Sequence, residues 1–214
     1  MAGPDPSVLK AVHDRDRRFL RTQDRYLDCT GLHQIWPIAA QRYGDLLALD
    51  DPHGSPPAQL TYRELVGQIT TFASGLQALG LSPRGHVALF ADNSHRWLIA
   101  DQGIMTAGGV NAVRSATADT QELLYIAEHS NSTVLVAQDL KLLQRLRAGL
   151  EPLAINLVIL LSDETPPEDS LKVLNFSHLL DLGRDRPLQP VSVEGKDLAT
   201  LIYTSGTTGK PKGV

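Results

Sequence analysis

The chain has almost no cysteine. Cys29 is the sole one in 214 residues, so no disulfide can form within it and a reducing compartment is expected. A lone cysteine without a partner reads as a small core residue. Apolar runs of transmembrane length are also missing. The longest, Leu153 to Leu161, contains Asn156 and suits a buried strand. The N-terminus has no apolar signal core, and Asp5, Asp14, Asp16, Asp24 and Asp28 make it too acidic for a transit peptide. A cytoplasmic location is expected, with peripheral membrane contact left open. Positive charge is not in excess: the formal net charge is −4 at pH 7, which argues against a nucleic-acid binder. The seven histidines include no pair at metal-ligand spacing, so no zinc site is expected and any metal ligands are left unknown. No Gly-x-Ser-x-Gly elbow occurs, which removes support for serine-hydrolase chemistry. Gly103 to Gly109 is not a Gly-x-Gly-x-x-Gly turn and falls at the end of a predicted helix, so a nicotinamide site is unsupported.

What is present reads as an ordinary globular chain. A hydrophobic fraction of 42% and a charged fraction of 21% allow a sizeable core in one domain or slightly more. Residues 1 to 28 read as a leader: a Gly/Pro-rich start, then Arg15, Arg17, Arg18, Arg21 and Arg25 among aspartates around Val12, Phe19, Leu20 and Leu27. That suits an amphipathic helix. Its arginines would meet an anionic membrane or a carrier protein, but the alternating signs favour a helix packed on its own domain.

From there the apolar spacing alternates between two periods. Thr30 to Tyr43 reads as a helix capped by Thr30 and ended by Gly44, Leu46 to Leu49 as a strand and Asp50 to Gln59 as a turn region. Thr61 and Glu64 form a capping box for a helix that Gly80 stops. Strands are expected at Val87–Ala91, Val110–Val113, Thr133–Ala137 and Ile155–Leu161. Between them lie helices from Asn93, from Asp119 as a cap, and from Leu140 to Leu150. Asp101 shares the apolar stripe of its helix, so a buried structural pair is expected rather than catalysis. Residues 162–170 read as an acidic surface loop, Asn175 to Leu182 as a short helix and Arg184 to Lys196 as an irregular connector. No internal repeat is found. Helices between short strands imply βαβ units, so the predicted class is α/β, a mainly parallel sheet flanked by helices.

The chemistry gathers in the last stretch, Leu201-Ile-Tyr-Thr-Ser-Gly-Thr-Thr-Gly-Lys-Pro-Lys-Gly-Val214. Leu201, Ile202 and Tyr203 suit a strand. Gly206, Gly209 and Gly213 let the backbone take positive φ and approach a ligand. Thr204, Ser205, Thr207 and Thr208 supply hydroxyls, and Lys210 and Lys212 supply charge. Together these describe a polyphosphate cradle. It is not a Walker A loop, because Pro211 stands where that pattern needs glycine and disfavours a helix start at Lys210. A Ser/Thr/Gly loop by itself would be a solvated hairpin, but here every position of a long string fits at once.

Tyr203 to Val214 resembles the phosphate-loop signature of the adenylate-forming (AMP-binding) superfamily, with Lys210 at its free position. Leu60-Thr-Tyr-Arg-Glu-Leu65 and Asp92-Asn-Ser-His-Arg-Trp97 are similar to earlier segments of that family. Trp97 and Val113-Arg-Ser115 look most like its long-chain fatty acyl-CoA and acyl-acyl-carrier-protein synthetases. The resemblance implies that residues 29–214 are the N-terminal part of an adenylation domain, truncated at the phosphate loop. It also implies an ATP-dependent carboxylate–thiol ligase passing through an acyl-adenylate. The implied cofactors are ATP and Mg²⁺, and the implied acceptor is CoA or the phosphopantetheine of acyl carrier protein. Thr204, Ser205, Gly206, Thr207, Thr208, Gly209 and Lys212 would bind the phosphates. The family's catalytic lysine and acyl pocket follow this loop, so no catalytic residue is nominated here, and these residues alone are expected to be inactive. The return strand of the loop is expected to be missing. Amino-acid or aryl-acid activation, or a non-catalytic nucleotide-binding subdomain, are the alternatives.

Overall fold

The computed structural model describes residues 29–168, 170–204 and 211–214. The chain divides into a unit of residues 1–30 and one of residues 31–214. The elements that follow belong to the second, and the predicted leader helix lies outside the described residues. A 3-10 turn at Leu32–Gln34 leads into α1 (Ile35–Tyr43). The expected Thr30 cap is displaced: Gly31 precedes the turn and offers no side chain. Pro37 is accommodated because its missing N–H falls in the first turn.

The next segment departs further from the sequence reading. β1 (Leu47–Asp51) pairs antiparallel with β2 (Ala58–Thr61), so residues read as turn at both ends of 50–59 are strand. Thr61 ends β2 and also caps α2 (Tyr62–Ala78). Both halves of the capping box form: Glu64 N–H donates to the Thr61 hydroxyl, and Thr61 N–H donates to the Glu64 carboxylate at 2.9 Å. Gly80 at φ +93° closes the helix, a conformation a side chain would strain.

The main sheet follows: β3 (His86–Phe90), α3 (His95–Thr106), β4 (Val110–Arg114), α4 (Thr120–His129), β5 (Val134–Ala137), α5 (Leu140–Leu150) and β6 (Leu157–Leu160). It is completed by β7 (Lys172–Asn175), α6 (Phe176–Arg184), β8 (Thr200–Thr204) and β9 (Lys212–Gly213). The spatial order is β7-β6-β5-β3-β4-β8-β9. Every adjacent pair is parallel except β8 with β9. β7 was not foreseen in the sequence.

Period-2 alternation along the strands builds a core on each face. Val87, Leu89, Val136 and Ile159 pack with α2, α3 and α6. Ala88, Phe90, Leu135 and Val158 pack on the other side with α4 and α5. Gly183 of α6 lies against α2, where an added Cβ would strike the Thr71 carbonyl. The chain moves from β3 to β4 on one side and later places β5 on the other. That reversal makes the C-terminal edge between β3 and β5 the switch point of the sheet.

Candidate functional site

β8 carries the predicted site into the sheet. Leu201 and Tyr203 pack on the core shared with α4 and α5. Ile202 and Thr204 therefore face the other way, and both are exposed. β9 then returns alongside. Ile202 N–H donates to the Val214 carbonyl at 2.9 Å, and Val214 N–H donates to the Ile202 carbonyl at 3.0 Å. The expectation of a missing return strand is thus corrected: its first residues are here and already pair. Tyr203 stands opposite Gly213, and Thr204 opposite Lys212. Directly opposite residues share a face, so Thr204 and Lys212 stand side by side at the base of the loop. No carboxylate among the described residues pairs with Lys212. Ser205, Gly206, Thr207, Thr208 and Gly209 lie outside the described residues, as does Lys210.

Gly213 serves differently from the sequence reading. Positive φ among the described glycines occurs at Gly80 and Gly108, not at Gly213. Gly213 instead lies in the ladder with the Tyr203 ring against it: an added Cβ would come within 3.1 Å of that ring. The Tyr203 hydroxyl shares a 2.9 Å hydrogen bond with Nδ1 of His129 on α4. Burial, and then nearby Tyr125, push the Tyr203 phenol above its usual range. The sequence reading took Tyr203 only as a strand aromatic and gave His129 no part. A phenol pointing into an apolar core needs a polar partner, and that was the available signal.

The switch-point edge, where doubly wound folds place ligands, has different chemistry. Three helices begin there, and each N-terminus receives a carboxylate from elsewhere in the chain. Asp51 accepts from the His95 N–H and from its ring Nδ1, both at 2.9 Å, at the start of α3. Glu164 accepts from Leu140 N–H at 2.9 Å at the start of α5. Asp163 accepts from Ser177 N–H at 3.2 Å at the start of α6. Arg96 ties this edge together. Its guanidinium pairs with Asp163, donates to the Leu161 carbonyl at 2.7 Å and lies 4.6 Å from the Phe176 ring centroid. A cleft of about 1010 Å³ opens between these groups and the β1–β2 turn.

The pKa directions follow from those bonds. Partial burial pushes Asp163 up, but hydrogen bonds from Arg96 and Ser177 outweigh it and leave the carboxyl below its usual range. The His95 backbone N–H, then its ring, hold Asp51 low. The acidic segment read as a plain surface loop therefore caps two helices through Asp163 and Glu164. Asp101 is buried, as expected, and accepts from Asn111 Nδ2 at 2.7 Å. Burial raises its carboxyl above the usual range against the hydrogen bonds from Gln102 and Asn111.

Fold and site together define a doubly wound α/β domain whose last parallel strand turns back through a loop rich in glycine and threonine. The chain belongs to the AMP-binding enzyme family, whose model matches residues 37–214. It is 37% identical over 196 residues to the long-chain-fatty-acid–[acyl-carrier-protein] ligase AEE15, chloroplastic, of Arabidopsis thaliana, a match covering 84% of this chain and 27% of that protein. It is 30% identical over 189 residues to the long-chain-fatty-acid–CoA ligase ACSBG2 of Xenopus laevis, covering 86% and 25%. The chain spans about a quarter of the length of these curated relatives. Among solved structures, a long-chain-fatty-acid-CoA ligase (FadD1) from Archaeoglobus fulgidus shares the fold with a TM-score of 0.73 at 23% identity, covering 86% of this chain and 36% of that one. No helix among the described residues is long and apolar enough to cross a membrane.

Proposed function

We propose that this chain is the N-terminal part of an ATP-dependent ligase that joins a long-chain fatty acid to a thiol, and that the β8–β9 loop holds the phosphates of ATP. The observation that carries the reading is the pairing of Thr204 with Lys212 at the loop base, on an exposed face with no carboxylate among the described residues against the lysine. Names of the relatives supply the substrate class: a long-chain fatty acid, with acyl carrier protein or CoA as the thiol.

The chemistry divides into two displacements. A carboxylate oxygen attacks the α-phosphorus, the bond to the bridging oxygen breaks, and pyrophosphate leaves. A thiolate sulfur then attacks the acyl carbon, and AMP leaves with the oxygen it gained. This chain serves the first step. Lys212 offsets the charge that grows on the departing pyrophosphate, and Thr204 donates its hydroxyl at the mouth of the loop. The hydroxyls of Ser205, Thr207 and Thr208 and the N–H groups of Gly206 and Gly209 complete the cradle. Mg²⁺, when bound with ATP, would neutralise phosphate oxygens. The donor set fits that division, because hydroxyls, amides and an ammonium bind phosphate oxygens directly.

The test is fatty-acid-dependent pyrophosphate release by the full protein that carries this chain. Lys212→Ala is expected to lower kcat/KM for ATP by about 10²-fold, the size of a lost oxyanion donor, with Thr207→Ala in the same direction. Unchanged values in both variants, or release that depends on an aryl or amino acid and not on a fatty acid, would overturn the reading.

A further inference from the structure

Among the described residues, a run of side chains from the body of the domain reaches the strand pair at the base of the loop. Tyr203 is the residue where β8 meets both its neighbours. On one side its ring covers Gly213 in β9, with an added Cβ there 3.1 Å from Cζ and 3.3 Å from Cε1. An aromatic opposite a glycine shields the bare backbone and pins the register of the pair. On the other side its hydroxyl is hydrogen-bonded to His129 Nδ1 at 2.9 Å. The two rings meet edge-on, 5.8 Å apart at 85°. Tyr125, one turn earlier on α4, stacks on His129 with centroids 5.3 Å apart. Tyr203 is only 3% exposed, so its ring cannot swing without breaking that bond.

The consequence lies one residue further along. β9 is two residues long, so few backbone bonds fix where Lys212 stands. Thr204 follows Tyr203 directly, and Lys212 precedes Gly213 directly. Whatever holds the Tyr203 ring over Gly213 also sets the distance between Thr204 and Lys212 across the mouth of the loop. We propose that His129 is a positioning residue for the phosphate loop: through the Tyr203 hydroxyl it locks the ring onto Gly213 and fixes the spacing of Thr204 and Lys212. The role rests on the loop's reading as the ATP-phosphate site. It requires no contact between His129 and the nucleotide.

Amide exchange of the full protein separates the two ideas. His129→Ala is expected to speed exchange in residues 200–204 and 212–214 by about tenfold, while Val136 and Ile159 in the middle of the sheet keep their wild-type rates. His129→Asn, whose amide sits near the Nδ1 position, should restore most of the protection. Tyr203→Phe should match His129→Ala, and the double variant should be no worse than either single one. Alongside, His129→Ala should raise KM for ATP about tenfold and leave KM for the fatty acid unchanged. Unaltered exchange in His129→Ala would overturn the inference, as would a uniform rise across the sheet, which is the mark of plain destabilisation. Faster local exchange with unaltered KM, in a protein where Lys212→Ala does raise KM, would also overturn it. If neither variant moved KM for ATP while the local exchange rose, the clamp would stand and the phosphate-loop reading would fall.

Discussion

The ends of β3, β5 and β6 and the end of β8 lie along one edge of the sheet with opposite chemistry. Helices follow β3 and β5 directly, and α6 begins beside the end of β6. Their N-termini carry the partial positive charge that suits an anion. Each is already occupied by a carboxylate of this chain: Asp51, Glu164 and Asp163. A polyphosphate entering that cleft would meet three like charges and find its donors taken. β8 leads instead into a sequence of glycines and hydroxyl residues, 205–210, and its antiparallel partner β9 begins at Lys212. The comparison teaches that helix starts alone do not mark the ligand site. In the proposed reading it is marked by positive charge left unpaired among the described residues, as at Lys212. Here the fold uses its helix starts to tie down the β1–β2 turn and the 162–164 segment, and in the proposed reading phosphate binding is left to the strand pair.

The largest effect is expected from Arg96→Ala. The side chain is buried, and its removal leaves Asp163 without its guanidinium, the Leu161 carbonyl without a donor and Phe176 without its cation. Losing hydrogen bonds to a charged partner costs about 2–3 kcal/mol, readable as a drop in unfolding free energy in urea. Nucleotide affinity of the folded fraction should not change. An Arg96→Ala protein that melted like wild type but bound ATP poorly would reverse the comparison and make the cleft the ligand site.

Acid titration gives a smaller and more specific signal. Asp51 and Asp163 are both held below the ordinary carboxylate value. A depressed carboxyl contributes stability that is present above its unfolded pKa, about 3.9, and is lost as pH falls through the lower folded value. Thermal unfolding should therefore show an acid limb below about pH 4. Asp51→Asn should lower stability at neutral pH and flatten that limb. Lys212→Ala should leave the limb unchanged, because Lys212 is bonded to neither Asp51 nor Asp163. An unchanged limb in Asp51→Asn would mean that the turn is held by something other than the helix start.

How much of this could be read from residues alone follows the range of the interactions. The string Tyr203 to Val214 is contiguous, so the family it points to was legible before any fold was known. The capping box of Thr61 and Glu64 and the cap at Asp119 are equally local. The α5 boundaries, Leu140 to Leu150, were legible because Asp139 and the leucine stripe agree. β2 and β7 were missed for a physical reason. Four-residue strands such as Ala58-Gln-Leu-Thr61 carry too few alternations to show a period, and Pro56 and Pro57 masked the first of them. The plugged helix starts were invisible because Asp51 and His95 are 44 residues apart in the chain and Leu140 and Glu164 are 24 apart, and nothing near these carboxylates says which helix they will reach. His129 was missed similarly, with 74 residues between it and Tyr203.

The smallest expected effect concerns a buried carboxylate on the boundary between the two regions. Asp101 leaves α3 toward Asn111 of β4, the strand that pairs with β8 at Asn111 and Thr200. It differs from the carboxylates of the cleft in having no guanidinium and no helix start among its partners. Burial raises it, so its neutral form is the one the fold favours. The sign of the pH effect is therefore opposite to that of Asp51: its contribution is full below the unfolded pKa and is lost as pH rises through the folded one. Asn111 Oδ1 is buried with no partner. Asp101→Asn would remove a buried charge while keeping one oxygen to accept from Asn111 Nδ2. A gain of about 1 kcal/mol is expected at pH 7, smaller at about pH 4, because acid favours the neutral carboxyl that burial already favours. Urea unfolding at the two pH values reads the difference. A loss at pH 7 instead would mean that Asp101 is held ionised by the protein, and the rule that buried carboxylates here are paired to donors at helix starts would no longer divide the two regions.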